Sequence, residues 1–135
     1  MSILITALKL KESNEIPLEM FKCVIPTTDL SATDENERNA LMLACEKKLD
    51  ELALELIKHG DKFDLGHIDR FRQTALLISL YEGLHDVALE LIKTKKSKPD
   101  QIDHNDTNAL VLACEQNMEE VALALIDAGV NIYII

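Results

Sequence analysis

Few side chains of the kinds that catalyse reactions or bind metal ions occur in this 135-residue chain, and they are scattered along it. It has three cysteines and four histidines, His59, His67, His85 and His104. None of the histidines has a second ligand at the spacing of a metal site, and there is no Cys-x-x-Cys pair. No glycine-rich phosphate-binding loop occurs, and no serine, threonine or cysteine lies beside a suitable base. The sequence therefore predicts a protein that is not an enzyme and that has no metal or cofactor.

The charge of the chain restricts its partners. The formal net charge is −10 at pH 7. Because nucleic-acid binding depends on neutralising phosphates, this charge predicts no nucleic-acid binding and favours a basic partner. The carboxylates Asp34, Glu35 and Glu37 and the pair at 119–120 are interpreted as solvated or helix-leading charge. The lysines at 95–98 could bind phosphate, but they are interpreted as part of a solvated loop. No apolar run is long enough to span a membrane, so no membrane partner is expected.

The strongest pattern in the sequence is a segment that recurs along it. Residues 108–115, Asn-Ala-Leu-Val-Leu-Ala-Cys-Glu, nearly repeat residues 39–46, and residues 74–81 are a looser copy. A second apolar segment follows each copy, at residues 52–57, 87–92 and 121–126. With a weaker copy that starts at Thr6, the four starts lie 33, 35 and 34 residues apart. A steady period of this size indicates stacked supersecondary units that bury one another's faces.

The period divides the chain into one domain of four units, each with two short predicted helices. We expect a degenerate N-terminal capping unit at residues 1–33 and further units at 34–68, 69–102 and 103–135. Asn39 and Thr74 suit the N-cap position of a first helix. Gly60 and Gly129 follow the second helices, where a helix end often needs a positive φ.

The cysteines, Cys23, Cys45 and Cys114, do not form a disulfide framework. Cys45 and Cys114 hold the same place in two non-adjacent units, so they lie too far apart for a disulfide bond. We interpret them as small core residues with reduced thiols. Reduced thiols favour an intracellular location, and we expect the cytoplasm, with the cytosol or nucleus of a host cell as alternatives.

These features together resemble the ankyrin repeat, closely in residues 34–131 and loosely in residues 1–33. The matching features are the Thr/Asn-Ala-Leu helix start, Gly83 between two helices, the Val-Ala-Leu-x-Leu-Ile second helix and the glycine after it. The resemblance implies an all-α, ankyrin-like helix-turn-helix solenoid of about four repeats joined by hairpin-type loops. Alanine replaces the family's usual proline, and apolar packing is expected where the family has a histidine. The residues assigned to that histidine's place are Lys9, Met42, Leu77 and Val111.

The resemblance also implies a binding surface, because proteins of this family usually hold partners in a concave groove between the loop tips and the first helices. Phe71 and Tyr81, two of only five aromatic residues, fall in this groove, where exposed aromatic side chains beside arginine make good interface anchors. Packing of Phe71 against a neighbouring repeat is an equal alternative. The predicted partner-binding residues are Arg38, Lys47, Arg70, Phe71, Gln73, Tyr81, Glu82, His104, Asn105 and Glu115.

The resulting hypothesis is a non-catalytic module that binds another protein or peptide in its concave groove. Two alternatives stay open. One is self-assembly through the apolar C-terminal residues Ile132, Tyr133, Ile134 and Ile135. The other is a fragment of a larger ankyrin-repeat effector or viral host-interaction protein whose activity lies elsewhere.

Overall fold

Four antiparallel helix pairs make up the part of the chain that the structure describes. The computed structural model describes residues 3–10 and 15–130. Within these ranges it contains eight α-helices and no strand. The helices are α1 (Ile3–Leu8), α2 (Leu18–Val24), α3 (Ala40–Glu46), α4 (Asp50–Lys58), α5 (Ala75–Tyr81), α6 (His85–Lys93), α7 (Ala109–Glu115) and α8 (Glu119–Asp127). A 3-10 helix, Ile25–Thr27, continues from the end of α2.

The helix pairs stack side by side into a solenoid. The first helices contact one another in the order α1, α3, α5 and α7, and the second helices in the order α2, α4, α6 and α8. A single apolar core runs through the whole stack. The helical solenoid predicted from the sequence is therefore confirmed.

Polar side chains begin the first helices as predicted. Asn39, Thr74 and Asn108 each accept a hydrogen bond from the backbone N–H three residues further on, at 3.0, 3.3 and 2.9 Å. Such a bond satisfies one of the N–H groups that have no partner inside the first turn. Helices α4, α6 and α8 instead carry acidic residues in their first turns, which interact favourably with the positive end of the helix dipole.

The prediction for Gly60 is wrong. Positive φ is found at Gly83 (76°), between a helix pair, and at Gly129 (89°), after α8, but not at Gly60. A Cβ on Gly60 would lie 2.6 Å from the Leu65 Cδ1 and 3.0 Å from the Ile57 carbonyl oxygen. Close packing of the following loop against the end of α4, and not backbone conformation, therefore favours glycine at this position.

The register predicted for the first unit is also wrong. Thr6 lies inside α1 and not at its start. Leu4, Ile5 and Leu8 are fully buried with the same spacing as three buried residues of α3, which are Leu41, Met42 and Cys45. The first unit thus matches the second at an offset of 37 residues, from Leu4 to Leu41. Ile5, and not Lys9, holds the place of Met42 in this register.

The two cysteines that share a place in the repeat differ in burial. Cys45 is completely buried, as predicted, and burial raises the pKa of its thiol. Cys114 is exposed, so the prediction of a core residue is wrong for it. The reason is the stacking order: α5 follows α3 and covers its outer side, whereas no described helix follows α7.

Replacing a residue in the middle of the stack should break the coupling between units. Leu91 in α6 is completely buried, so Leu91→Asp places an unpaired charge between stacked helices and should cost about 3 kcal/mol or more. Urea denaturation followed by circular dichroism and by the reactivity of the Cys45 thiol should give two transitions that no longer coincide.

The matched control for this variant is Leu123→Asp. Leu123 lies on α8 and is 56% exposed, so the same substitution should change the free energy of unfolding by less than about 0.5 kcal/mol. An unchanged, single transition for Leu91→Asp would contradict the stacked architecture.

Candidate protein-binding groove

A buried aspartate organises each loop that precedes a first helix. The three loops are residues 34–38, 69–73 and 103–107, and each begins with an aspartate. Asp34, Asp69 and Asp103 are 8%, 5% and 0% exposed. In every case the Oδ1 atom accepts hydrogen bonds from the backbone N–H groups two and four residues further on, at 2.8–3.0 Å. The backbone N–H of the aspartate donates in turn to the carbonyl four residues on. The loops are therefore closed like hairpin turns, although no strand is present among the described residues.

The second carboxylate oxygen ties each loop to the preceding unit. Lys9 Nζ lies 3.4 Å from the Asp34 Oδ2, Arg38 Nε donates to the Asp69 Oδ2 at 2.9 Å, and the Tyr81 hydroxyl donates to the Asp103 Oδ2 at 2.7 Å. Three different side chains thus perform the same task. Each aspartate is an inter-repeat link as well as a loop organiser.

These hydrogen bonds stabilise the ionised carboxylates despite their burial. Desolvation opposes ionisation of Asp103, but the bonds from Tyr81 and from the backbone N–H groups outweigh it, and the pKa of Asp103 is lowered. At Asp34 desolvation is likewise outweighed by backbone N–H donors and by Lys9, so its pKa is lowered too. Burial and the Asp103 carboxylate raise the pKa of the Tyr81 hydroxyl, which therefore stays a donor.

The interpretation of Asp34 as a solvated charge is wrong. Its side chain is only 2% exposed and makes the contacts described above. Asp69 and Asp103 were absent from the predicted site. The sequence does carry a signal for all three, because aspartate recurs at 34, 69 and 103 with the period of the repeat.

A layer of three side chains crosses the loop tips. The Arg38 guanidinium carbon lies 5.6 Å from the centroid of the Phe71 ring, within the range of a cation–π contact. The ring centroids of His104 and Phe71 lie 5.7 Å apart, and the two ring planes are tilted by 54° relative to each other. The backbone N–H of His104 donates to the Phe71 carbonyl at 3.1 Å. Phe71 thus packs between the two neighbouring repeats and stays 37% exposed.

Arg38 is held firmly in this layer. Besides Asp69, it pairs with Glu46 and donates to the Gln73 side-chain oxygen at 3.3 Å. Desolvation disfavours its charge, but the bonds to Asp69 and Glu46 outweigh this and raise the pKa of the guanidinium. Its charge is therefore neutralised inside the protein and is not offered to a partner.

Loop tips and first helices enclose a recess of about 250 Å³ between them. Tyr81 lies at its edge, 36% exposed, with its hydroxyl held by Asp103 and its carbonyl accepting a hydrogen bond from Gln116 at 3.4 Å. The recess and the Arg38–Phe71–His104 layer together are called the groove below. The recess is lined by Arg38, Glu46, Gln73, Ile78, Tyr81, Glu82 and Asn105.

Five of the ten predicted binding residues line the recess and two more form the layer beside it. Lys47, Arg70 and Glu115 are not among the lining residues. Lys47 is the half-buried C-cap of α3, Arg70 is exposed and bonds through its backbone N–H to the Asn36 carbonyl, and Glu115 ends α7 and is exposed. Ile78 was not predicted, because it is a buried residue of α5 that reaches the recess only through the way α5 packs.

Two histidines, His67 and His104, also take part in loop stacking. His67 Nε2 donates to the Glu37 carbonyl at 2.6 Å, and His104 Nδ1 lies 3.2 Å from the Phe71 carbonyl.

Among residues 3–10 and 15–130, no group of three or more His, Cys, Asp or Glu side chains could hold a metal ion. Nor is any helix there long and apolar enough to cross a membrane. The predicted self-association residues Ile132, Tyr133, Ile134 and Ile135 lie outside the described part of the chain.

The family comparison agrees with this architecture. A family model described as ankyrin repeats in three copies matches residues 4–103 and again residues 41–135. The chain belongs to the ankyrin repeat family. Ankyrin repeats are generally non-enzymatic modules for protein–protein interaction. A search of curated proteins found no match.

Removing a loop carboxylate should destabilise the protein. Asp103→Ala leaves the N–H groups of Asn105 and Thr107 and the Tyr81 hydroxyl without their acceptor, and we expect a loss of about 2–3 kcal/mol in the free energy of unfolding. Asp100→Ala removes an exposed carboxylate from the same connection between α6 and α7 and should change the free energy of unfolding by less than about 0.5 kcal/mol. Equal effects in urea denaturation would rule out the structural role of Asp103.

Acid should remove the same stabilisation. The folded-state pKa values of Asp34 and Asp103 are lowered. Their contribution to the free energy of unfolding is therefore fully present above the unfolded-state pKa of about 3.9. It is lost as the pH falls below that value and through the folded-state pKa values. The urea midpoint should therefore drop steeply below about pH 4. The drop should be smaller in Asp103→Asn, and a midpoint that does not fall in acid would contradict the assignment.

Proposed function

We propose that the groove binds an extended or helical segment of another protein, and that this segment is basic. The carrying observation is the pair of exposed aromatic rings in the groove. Seven large hydrophobic residues are exposed among the described residues, and Phe71 and Tyr81 are the two that belong to the third unit, residues 69–102. Large side chains held half-exposed beside an arginine resemble the anchors that contribute most to binding at protein interfaces.

The charges of the groove support a basic segment. Arg38 is already paired, whereas no ion pair within the described part of the chain involves Glu82, which lines the recess. The Glu82 carboxylate in the lining of the recess is therefore open to lysine or arginine of a partner. The chain's net charge of −10 acts in the same direction by attracting basic segments from a distance.

The groove is also preformed. Tyr81 is fixed at both its hydroxyl and its carbonyl, and Phe71 is held between Arg38 and His104. A side chain that is already ordered loses little conformational entropy on binding, which improves affinity without additional contacts. This arrangement favours recognition over chemistry, because the ordered side chains offer contact surface and hydrogen-bonding groups.

Selection from a display library of short random peptides on the immobilised full chain tests this proposal. We expect the selected peptides to be rich in lysine and arginine. Phe71→Ala combined with Tyr81→Ala should weaken their binding by about 30-fold or more, the loss typical of an interface hot spot. Tyr81→Phe keeps the ring and should retain most of the affinity.

The matched control removes exposed apolar side chains elsewhere. Met20→Ala combined with Leu123→Ala should leave binding unchanged, because both residues lie outside the groove. Circular dichroism establishes that all variants are folded. Selected peptides that bind the folded Phe71/Tyr81 variant as tightly as the wild type would overturn the proposal.

A further inference from the structure

The last helix pair, α7 and α8, exposes an apolar face that the preceding pairs bury. Ile126 is 47% exposed, whereas Ile57 and Ile92, which hold the same place in the two preceding units, are 9% and 6% exposed. Cys114 is exposed, whereas Cys45 in its place is completely buried. Ile57, Ile92 and Cys45 are each covered by the unit that follows them in the stack. This surface, formed by Cys114, Met118, Ala122 and Ile126, is called the end face below.

The end face is shaped to receive side chains. It contains a recess of about 360 Å³ beside the turn between α7 and α8. Within the stack, the equivalent face of α5 and α6 is covered by two helices, since α7 packs on α5 and α8 packs on α6. A helix is therefore the element that fits this surface. The recess is lined by Ala113, Cys114, Asn117, Met118, Glu119 and Ala122.

The charge around the end face is one-sided. Residues 103–135 contain six carboxylates and no lysine or arginine, whereas each of the other three units contains at least three basic residues. Two of these carboxylates border the end face directly: Glu115 follows Cys114, and Glu119 lines the recess, both exposed. An apolar floor with an acidic border is complementary to an apolar surface with a basic border.

We propose that the end face binds an amphipathic helix of another protein that carries lysine or arginine beside its apolar side. The helix would cover Ile126 and Cys114 as the next repeat covers their counterparts, and its basic residues would pair with Glu115 and Glu119. This surface is distinct from the groove and does not depend on the function proposed for it.

Charge disfavours two other occupants, a second copy of this chain and residues 131–135. A second copy of this chain brings a net charge of −10, and its first unit has three lysines against four carboxylates. Residues 131–135 are Asn-Ile-Tyr-Ile-Ile and carry no basic side chain. Residues 131–135 therefore cannot neutralise the carboxylates around the end face, and a second copy would bring a net negative unit to an acidic border.

Cysteine footprinting of the full chain tests the proposal. The probe is a synthetic amphipathic helical peptide with leucine and alanine on one side and lysine on the other, and the control peptide has glutamate in place of lysine. Alkylation by iodoacetamide is measured at each cysteine by mass spectrometry. Cys114 reports the end face, Cys23 is an exposed reference on α2, and Cys45 is buried.

We expect selective protection of Cys114. At a concentration of the lysine peptide about ten times its Kd, alkylation of Cys114 should slow by about tenfold, because only about a tenth of the protein remains free. The alkylation rate of Cys23 should not change. The glutamate peptide should protect neither residue.

Variants separate this surface from general acidity and from the groove. Glu115→Gln combined with Glu119→Gln should weaken binding of the lysine peptide by about tenfold. Glu51→Gln combined with Asp61→Asn changes the net charge equally at exposed sites elsewhere and should have no effect. Phe71→Ala, which lies in the groove and keeps the Tyr81–Asp103 bond, should also have no effect.

Four results would overturn the proposal. They are no protection of Cys114, equal protection of Cys23 and Cys114, protection that appears only after removal of residues 131–135, and protection without peptide that rises with protein concentration. The third result would assign the end face to the chain's own C-terminal residues. The fourth, checked by sedimentation, would assign it to a second copy.

Discussion

A buried, ionised aspartate at the start of each loop is the interaction on which the rest of the structure depends. One carboxylate oxygen shapes the loop by accepting two backbone N–H bonds, and the other accepts a donor from the preceding unit. A buried carboxylate is costly unless all its oxygens have partners, so the loop and the stack must form together. Because Lys9, Arg38 and Tyr81 all serve as that donor, the aspartate is the constant part of the link and the donor is the variable part.

The same links explain why the molecule presents a preformed surface. Arg38 and Tyr81 are donors to the loop aspartates and are also walls of the recess. Repeat stacking therefore places the aromatic rings of the groove as well as the helices. In a solenoid whose units contact only their neighbours, such links across each boundary determine how cooperatively the array behaves. The end face shows the opposite case, because the same apolar positions there have no described unit to cover them.

Much of the fold could be predicted from the sequence, because the features that determine it are local. The 34-residue period, the caps at Asn39 and Thr74 and the apolar stripes all follow from neighbouring residues. The Arg38–Phe71–His104 layer could not be predicted in the same way, since it joins residues of three loops whose spacing only the stacked structure provides. Asp34 was misinterpreted for a related reason: a charged residue in a loop is usually solvated, and its burial depends on a donor 25 residues away.

A double-mutant cycle between Tyr81 and Asp103 tests the central claim most directly. Tyr81→Phe, Asp103→Asn and the double variant are compared with the wild type by urea denaturation. The account predicts a coupling free energy of about 1–2 kcal/mol, as expected for a hydrogen bond from a hydroxyl to a buried carboxylate across a repeat boundary. Additive effects, with a coupling free energy near zero, would show that the loop carboxylate does not link neighbouring repeats.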